Sequence, residues 1–226
     1  FSVFGSKSGF ERMEDCYGDL TEAIYAVETG LSSDPPMNWR LSALDRFALV
    51  SNSDAHSPDK LAREANLLDS ELSWEGLTGA LRSRDPMRFL GTLEFFPEEG
   101  KYHYDGHRAC GVRLHPEEAA ALGGRCPVCR GKLTGGVYGR VVELADRPDG
   151  ARPACARQFE RLVPLREILA EMLDAGPSTK KTETLLERVI AGLGPELDVL
   201  RLVPLEDIAR VAGPLAAEAV RRTRAE

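Results

Sequence analysis

The sequence predicts an α/β layer with parallel strands, followed by a small metal-binding module and an α-helical C-terminal region. Three observations carry that expectation. Across residues 1–85, β-rich runs alternate with helical stretches, the rhythm of strand–helix–strand units. Two pairs of metal-ligand residues at a spacing of two, His107/Cys110 and Cys126/Cys129, fall close together in the middle of the chain. Beyond residue 151 the apolar pattern has helical period. The expected divisions are residues 1–85, 86–150 and 151–226.

In order, residues 8–17 read as a short helix, and an apolar strand over 23–27 ends in Glu28-Thr29-Gly30. Pro36 suits an early helical position in a helix through Asp45, because its fixed φ is helical and its missing N–H has no partner there anyway. A β-rich run over 47–50 leads into Ser51-Asn52-Ser53-Asp54-Ala55-His56, and Ser57-Pro58 opens a helix predicted over 59–68. A helix over 74–84 stops at Asp85-Pro86. Residues 88–96 and 101–104 read as hairpin arms around Pro97-Glu98-Glu99-Gly100. Arg147-Pro148-Asp149-Gly150 and Arg152-Pro153 mark a linker. Helices follow over 165–173, 182–191, 205–211 and 214–224.

Composition narrows the class. Hydrophobic residues make up 42% and charged residues 29%, as in a globular domain. No apolar run approaches the roughly 18 residues a membrane span needs, so no membrane partner and a cytoplasmic setting are expected. The net charge of −7 argues against a nucleic-acid partner until its distribution is examined. Residues 1–100 hold 9 basic and 18 acidic residues, residues 101–150 hold 8 and 6, and residues 151–226 hold 12 of each. The acidity sits where carboxylates would help hold metal ions, and the remainder permits DNA binding. The chain opens Phe1-Ser2-Val3-Phe4-Gly5 without an initiator Met, which reads as the middle of a domain and so as a fragment.

The firmest motif is His107-x2-Cys110, fifteen intervening residues, then Cys126-Pro127-Val128-Cys129. Each pair sets two ligands on one tight turn, and the insert lets the turns face each other, as tetrahedral zinc requires. Four protein ligands close the site, so this zinc is structural. His103 competes with His107 for the fourth place. Gly131 follows the second turn, where a positive φ would favour glycine. The competing reading, a redox CxxC, expects a strand-to-helix junction and has no use for Cys110. Cys16 and Cys155 receive no role.

Asp54-Ala55-His56 at a strand's C-terminal end is the second motif. Alternating side chains put Asp and imidazole on one side of an extended chain, a donor pair suited to Zn²⁺, Mn²⁺ or Fe²⁺. A loop with an N-capping Asp explains the same residues equally well. Near the C-terminus, residues 205–217 with Gly213 resemble a helix-hairpin-helix, and residues 186–200 with Gly194 read as a second copy. A plain helix pair with glycine at the turn competes. Arg221 and Arg222 form a basic end, Lys7 and Arg40 are candidate phosphate contacts, and Trp39 is a candidate stacking residue. Gly131-Lys132 is no nucleotide-binding loop, since Leu133 stands where Ser or Thr is needed.

The runs Phe1 to Phe10, Val27 to Asp34, Ser51 to Pro58, Lys101 to Arg108 and Glu143 to Arg147 resemble the endonuclease Q family across essentially the whole chain. The resemblance implies the C-terminal part of a PHP-type distorted (β/α) barrel, then a small zinc-ribbon-like module and a helical region. It implies a metal-dependent enzyme that cuts DNA 5′ of deaminated bases such as uracil and hypoxanthine, with a replication or repair factor as a further candidate partner. Asp54 and His56 match the last metal-ligand pair of the barrel, and Glu28 matches an acid standing behind the ligands. The catalytic ions implied are Zn, Mg or Mn, which generate hydroxide at neutral pH, and the damaged base must leave the stack to be read. The chain departs from the pattern in holding no histidine besides His56 before residue 103. By itself it is expected to be inactive. A PHP phosphatase acting on a small phosphomonoester and a non-catalytic zinc-ribbon nucleic-acid-binding module are the alternatives.

Overall fold

The computed structural model describes residues 1–225. Among them, three small sheets and ten α-helices form an N-terminal α/β part, a metal-ligand module and a helical part. In the first part, α1 (Met13–Tyr17) and a 3₁₀ turn lead into β1 (Ala26–Glu28). The Asp34 side chain accepts from the Met37 N–H at 2.9 Å and caps α2 (Pro35–Trp39), with proline in its first turn. β2 (Ala48–Val50) then pairs parallel to β1, Ala26 opposite Ala48. This strand–helix–strand unit matches the expectation. Its apolar residues, Phe4, Met13, Met37, Leu41, Leu44 and Phe47, bury one face.

The next segment departs from it. The predicted helix over 59–68 is a single 3₁₀ turn at Pro58–Lys60, followed by β3 (Ala65–Leu68). β3 runs antiparallel to β4 (Phe89–Glu94), Ala65 opposite Leu93, so a distant pairing overrides the local helical start at Ser57-Pro58. Between them α3 (Trp74–Ser83) forms as expected. The Ser73 hydroxyl caps it by accepting from the Gly76 N–H, and left-handed Arg84 ends it.

The predicted hairpin of 88–96 with 101–104 does not form. Both edges of β4 are already occupied, one by β3 and the other by β7 (Gln158–Arg161), which runs parallel to it. Gly91 has no Cβ because one there would collide with the Gln158 carbonyl across this pairing. β7 lies in the region expected to be helical. The linker before it is irregular but anchored: Arg147 makes a bidentate ion pair with Asp45 at 2.8 and 2.5 Å.

The metal module comprises β5 (Asp105–His107), β6 (Val112–Leu114), α4 (Pro116–Ala121) and α5 (Val137–Leu144). Val141 of α5 is fully buried in the N-terminal core, which seats the module on the α/β part.

The helical part holds α6 (Leu165–Met172), α7 (Lys180–Leu193), α8 (Glu196–Arg201), α9 (Leu205–Ala212) and α10 (Pro214–Thr223). The short α8 was not expected as a separate helix. The part contains one device twice, a helix, Gly-Pro and a helix. Gly194 (φ 98°, ψ −164°) and Gly213 (φ 96°, ψ 162°) occupy a region open almost only to glycine, and the following proline starts the next helix. Arg224 locks the second hairpin to the first by donating to the Val199, Leu200 and Val203 carbonyls at the end of α8. Leu93 of β4 lies in this helical core and fastens it to the sheet.

A buried ion pair joins the start of α2 to β7. Asp34, 2% exposed, meets Arg161 of β7 at 2.5 Å while also capping α2. Replacing Asp34 with Ala leaves Arg161 unpaired beside Phe96 and Phe159. We expect a loss of about 3–5 kcal/mol in urea unfolding, and a smaller loss for Asp34→Asn, which retains the cap. No loss in Asp34→Asn would show that the charge pair contributes nothing.

Candidate functional site

Two places gather the chemistry. In the first, the β5–β6 hairpin carries His107 at the end of β5 and Cys110 at the end of its 3₁₀ turn, with left-handed Gly111 (φ 64°) reversing the chain. The second turn, Cys126 to Gly131, closes through Cys126 N–H to the Gly131 carbonyl at 2.8 Å and Arg130 N–H to the Cys126 carbonyl at 2.9 Å. Ligand atoms of His107, Cys110, Cys126 and Cys129 all lie within 4.8 Å of one another. This donor set and closeness fit tetrahedral zinc.

The electrostatics of the thiols are compatible with a bound cation. Burial pushes Cys126 up, but the Cys129 and Val128 backbone N–H groups and the neighbouring thiols outweigh it and leave this thiol below its usual value. Cys110, held by Cys129 and by desolvation, is pushed up to about 11. Three neighbouring thiols cannot all ionise without a metal. His103 lies outside this cluster: it is 4% exposed, its Nδ1 is 3.0 Å from the Ser32 carbonyl, and its ring stacks on Tyr138. The left-handed residue after the turn is Arg130 (φ 62°), not Gly131. Gly131 is small for another reason, since a Cβ there would stand 3.3 Å from the Cys129 sulfur.

The second place is the C-terminal end of β2. Asp54 adopts a left-handed φ of 47°. Its carbonyl lies 2.8 Å from His56 Nδ1, and its Oδ1 lies 3.9 Å from the same nitrogen. Both side chains are open to solvent, 72% and 86% exposed. Among the described residues no third His, Cys, Asp or Glu joins them. Glu28 ends β1 with an exposed side chain and is not part of a ligand cluster with them. Two donors do not hold a catalytic ion by themselves, so these residues do not fit a complete catalytic centre.

Beneath the loop lies a buried acidic junction that sequence reasoning missed. Glu94, 0% exposed, accepts from Thr92 Oγ1 at 2.5 Å, Thr29 Oγ1 at 3.1 Å and Ser51 Oγ at 3.2 Å. Glu64, 2% exposed, lies near Ser51 and the Phe95 backbone, but neither of its oxygens completes a hydrogen bond. Burial lifts Glu94 to about 8, against the Thr92 hydroxyl and with the repulsion of Glu64, and burial lifts Glu64 to about 7. The signal was a glutamate within the apolar run Leu93-Glu94-Phe95-Phe96.

The remaining candidates scatter. Lys7 is exposed. Trp39 is a core residue, 7% exposed, edge-on to Phe159 and covered by Arg152, so it has no free face for a base. Arg40 is half-buried with its Nε enclosed. Gly194 and Gly213 sit at the two helical turns, and Arg221 and Arg222 both pair with Glu218.

Comparison with known proteins agrees with this architecture. Residues 164–226 match the family model of the MJ0043 C-terminal domain. The uncharacterized protein MJ0043 of Methanocaldococcus jannaschii is 29% identical over 219 residues, 93% of this chain and 27% of that protein. The uncharacterized protein YqxK of Bacillus subtilis is 30% identical over 203 residues, 89% of this chain and 48% of that protein. Among solved structures, the lesion-specific endonuclease PfuEndoQ of Pyrococcus furiosus superposes with a TM-score of 0.86 at 30% identity, over 99% of this chain and 56% of that one. An endonuclease Q in complex with a 27-mer duplex substrate with an abasic lesion at the active site gives 0.85 at 31%, over 96% and 54%. The chain thus resembles endonuclease Q over nearly its whole length, while spanning about half or less of these relatives.

Two outcomes are expected. Metal analysis should find zinc in the chain, with a lower zinc content and a lower Tm in Cys126→Ser; unchanged zinc would refute the ligand set. The acidic junction makes stability fall with pH. Folded values above the unfolded carboxyl range mean that its contribution is full below that range and is lost as pH rises through about 7 to 8. Tm should therefore decline between about pH 5 and 8 and decline less in Glu94→Gln; identical pH profiles would exclude Glu94 as the source.

Proposed function

We propose that this endonuclease Q-like chain is part of a DNA repair endonuclease that hydrolyses the phosphodiester bond 5′ of deaminated bases such as uracil and hypoxanthine. The observation that carries this reading is the superposition of nearly the whole chain on endonuclease Q, including a structure with a lesion-bearing duplex. The strand-end pair Asp54 and His56 supplies chemistry consistent with it. The parallel β1–β2 pair with its intervening helix suits the end of a PHP-type barrel. The further ligands of a divalent cluster of Zn, Mg or Mn would come from residues outside this chain.

The metal module suits a zinc-ribbon-like element that faces DNA. Arg108, Arg125, Arg130 and Lys132 surround its ligands, all exposed, and no acidic partner appears among their described ion pairs. Such a set matches a phosphate backbone. Lys7, exposed and next to Ser6, which donates to the Gly135 carbonyl of the module, is a further candidate phosphate contact. The doubled Gly-Pro hairpins at Gly194 and Gly213 suit further backbone contacts of the helix-hairpin-helix kind. Arg221 and Arg222 contribute less, because Glu218 already holds them. No helix among the described residues is long and apolar enough to cross a membrane.

The test is a labelled duplex with one uracil, incubated with Mn²⁺ or Mg²⁺ and the protein that carries this chain. A nick 5′ to the uracil is expected, with the undamaged duplex left intact. Asp54→Asn should slow nicking by more than roughly 100-fold, beyond the 10–100-fold usual for groups that only support a metal ligand. Absence of cleavage under every metal condition would overturn the proposal.

A further inference from the structure

The β5–β6 hairpin has two unlike faces. Neighbouring residues of a strand project to opposite sides, and residues paired across strands project to the same side. On one side Val112 and Leu114 pack against the module core and His107 joins the metal-ligand cluster. On the other, the pairs Gly106–Arg113 and Gly106–Thr134 set Arg113, Gly106 and Thr134 in a row. Tyr104 and His115 extend that side one step past the pair Asp105–Leu114, and their ring centres lie 4.8 Å apart. Tyr138 of α5 borders the row, edge-on to His115 at 6.3 Å. Gly106 leaves the middle bare, since a Cβ there would stand 2.6 Å from the Val112 carbonyl.

Arg113 is the centre of this face. It is exposed, and its guanidinium carbon stands 5.4 Å from the centre of the Tyr104 ring. Its Nη2 donates to the Glu98 carbonyl at 2.7 Å, which holds the group in place without neutralising it. No carboxylate pairs with Arg113 among the described ion pairs. Of the two acids that open α4, Glu117 is exposed and Glu118 is turned back to the His115 N–H at 2.8 Å. A planar cation on an aromatic ring, beside an exposed imidazole and a bare glycine, suits flat π systems. Unpaired nucleotides are such ligands, because their bases stack on aromatic rings and guanidinium planes. Their phosphates match the unpaired Arg108, Arg125, Arg130 and Lys132 of the same module. A duplex keeps its base faces covered. We propose that this face of the hairpin binds single-stranded DNA, with Arg113 lying between Tyr104 and an unpaired base.

This inference rests on the reading of the module as the DNA-facing element, and it needs neither cleavage nor a lesion. Fluorescence anisotropy of the zinc-loaded chain should show tighter binding to an undamaged strand of about 15 nucleotides than to the same sequence as a duplex. Arg113→Ala and Tyr104→Ala should each weaken strand binding by about 10-fold, while duplex binding and zinc content change little. Arg113→Lys keeps the charge without the plane and should lose most of the preference for the strand. The two Arg113 variants alter an exposed side chain and carry the test if Tyr104→Ala does not fold. No strand binding, equal affinity for strand and duplex, or parent-like strand binding in Arg113→Ala overturns the inference. Strand preference as expected with a failed nicking assay would instead reject the endonuclease reading alone.

Discussion

The Glu94 carboxyl group is the junction on which the α/β part depends. It receives hydroxyls from the end of β1 at Thr29, the end of β2 at Ser51 and its own strand at Thr92. A charged carboxylate in so enclosed a place is strongly disfavoured, so the group keeps its proton near neutrality and the hydroxyls satisfy its oxygens. From it the structure branches. Ser51 begins the loop that presents Asp54 and His56, and the Glu94 backbone carbonyl accepts the Leu162 N–H on the path into α6. Shifting this one group would disturb the strand ends and the approach to the helical part together.

The metal module solves a different problem. Its own core is only Ala119, Cys126 and Leu133, with Cys110, Val112 and Leu114 against it. So few apolar side chains cannot offset the entropy of ordering two turns and two short helices. A metal held by the four clustered donors would supply the missing stabilisation from within, and burial of Val141 in the neighbouring core fixes where the module sits.

The helical part gains its order from repetition. Two helix–Gly-Pro–helix hairpins bury Val189, Val199, Ile208, Ala216 and Val220 against one another and against Leu93 of the sheet. The small residues Ala212, Ala216 and Ala217 allow α9 and α10 to approach closely. Arg224, partly buried, is held below its usual basicity by desolvation, and its three carbonyl partners keep it in place.

Features whose cause is local were legible in the amino-acid order. The four clustered donors could be named because two-residue spacing within a tight turn is itself the geometry. The helix at Trp74, the proline-led start of α2 and the glycine turns at Gly194 and Gly213 depend on capping and φ preferences within a few residues. Features that depend on a distant partner were not. Residues 65–68 carry an adequate helical pattern, yet pairing with β4 makes them a strand; Gln158-Phe159-Glu160-Arg161 is too polar to announce a strand, yet β4 recruits it. Trp39 looked available until Phe159 and Arg152 covered it. Glu64 and Glu94 were not singled out, because burial is a property of the assembled strands. The sequence alone determined which residues could bind metal and which local caps and turns start or stop a helix. The tertiary structure decided which charges are buried and which backbone holds Asp54 and His56, because those depend on contacts between residues far apart in the chain.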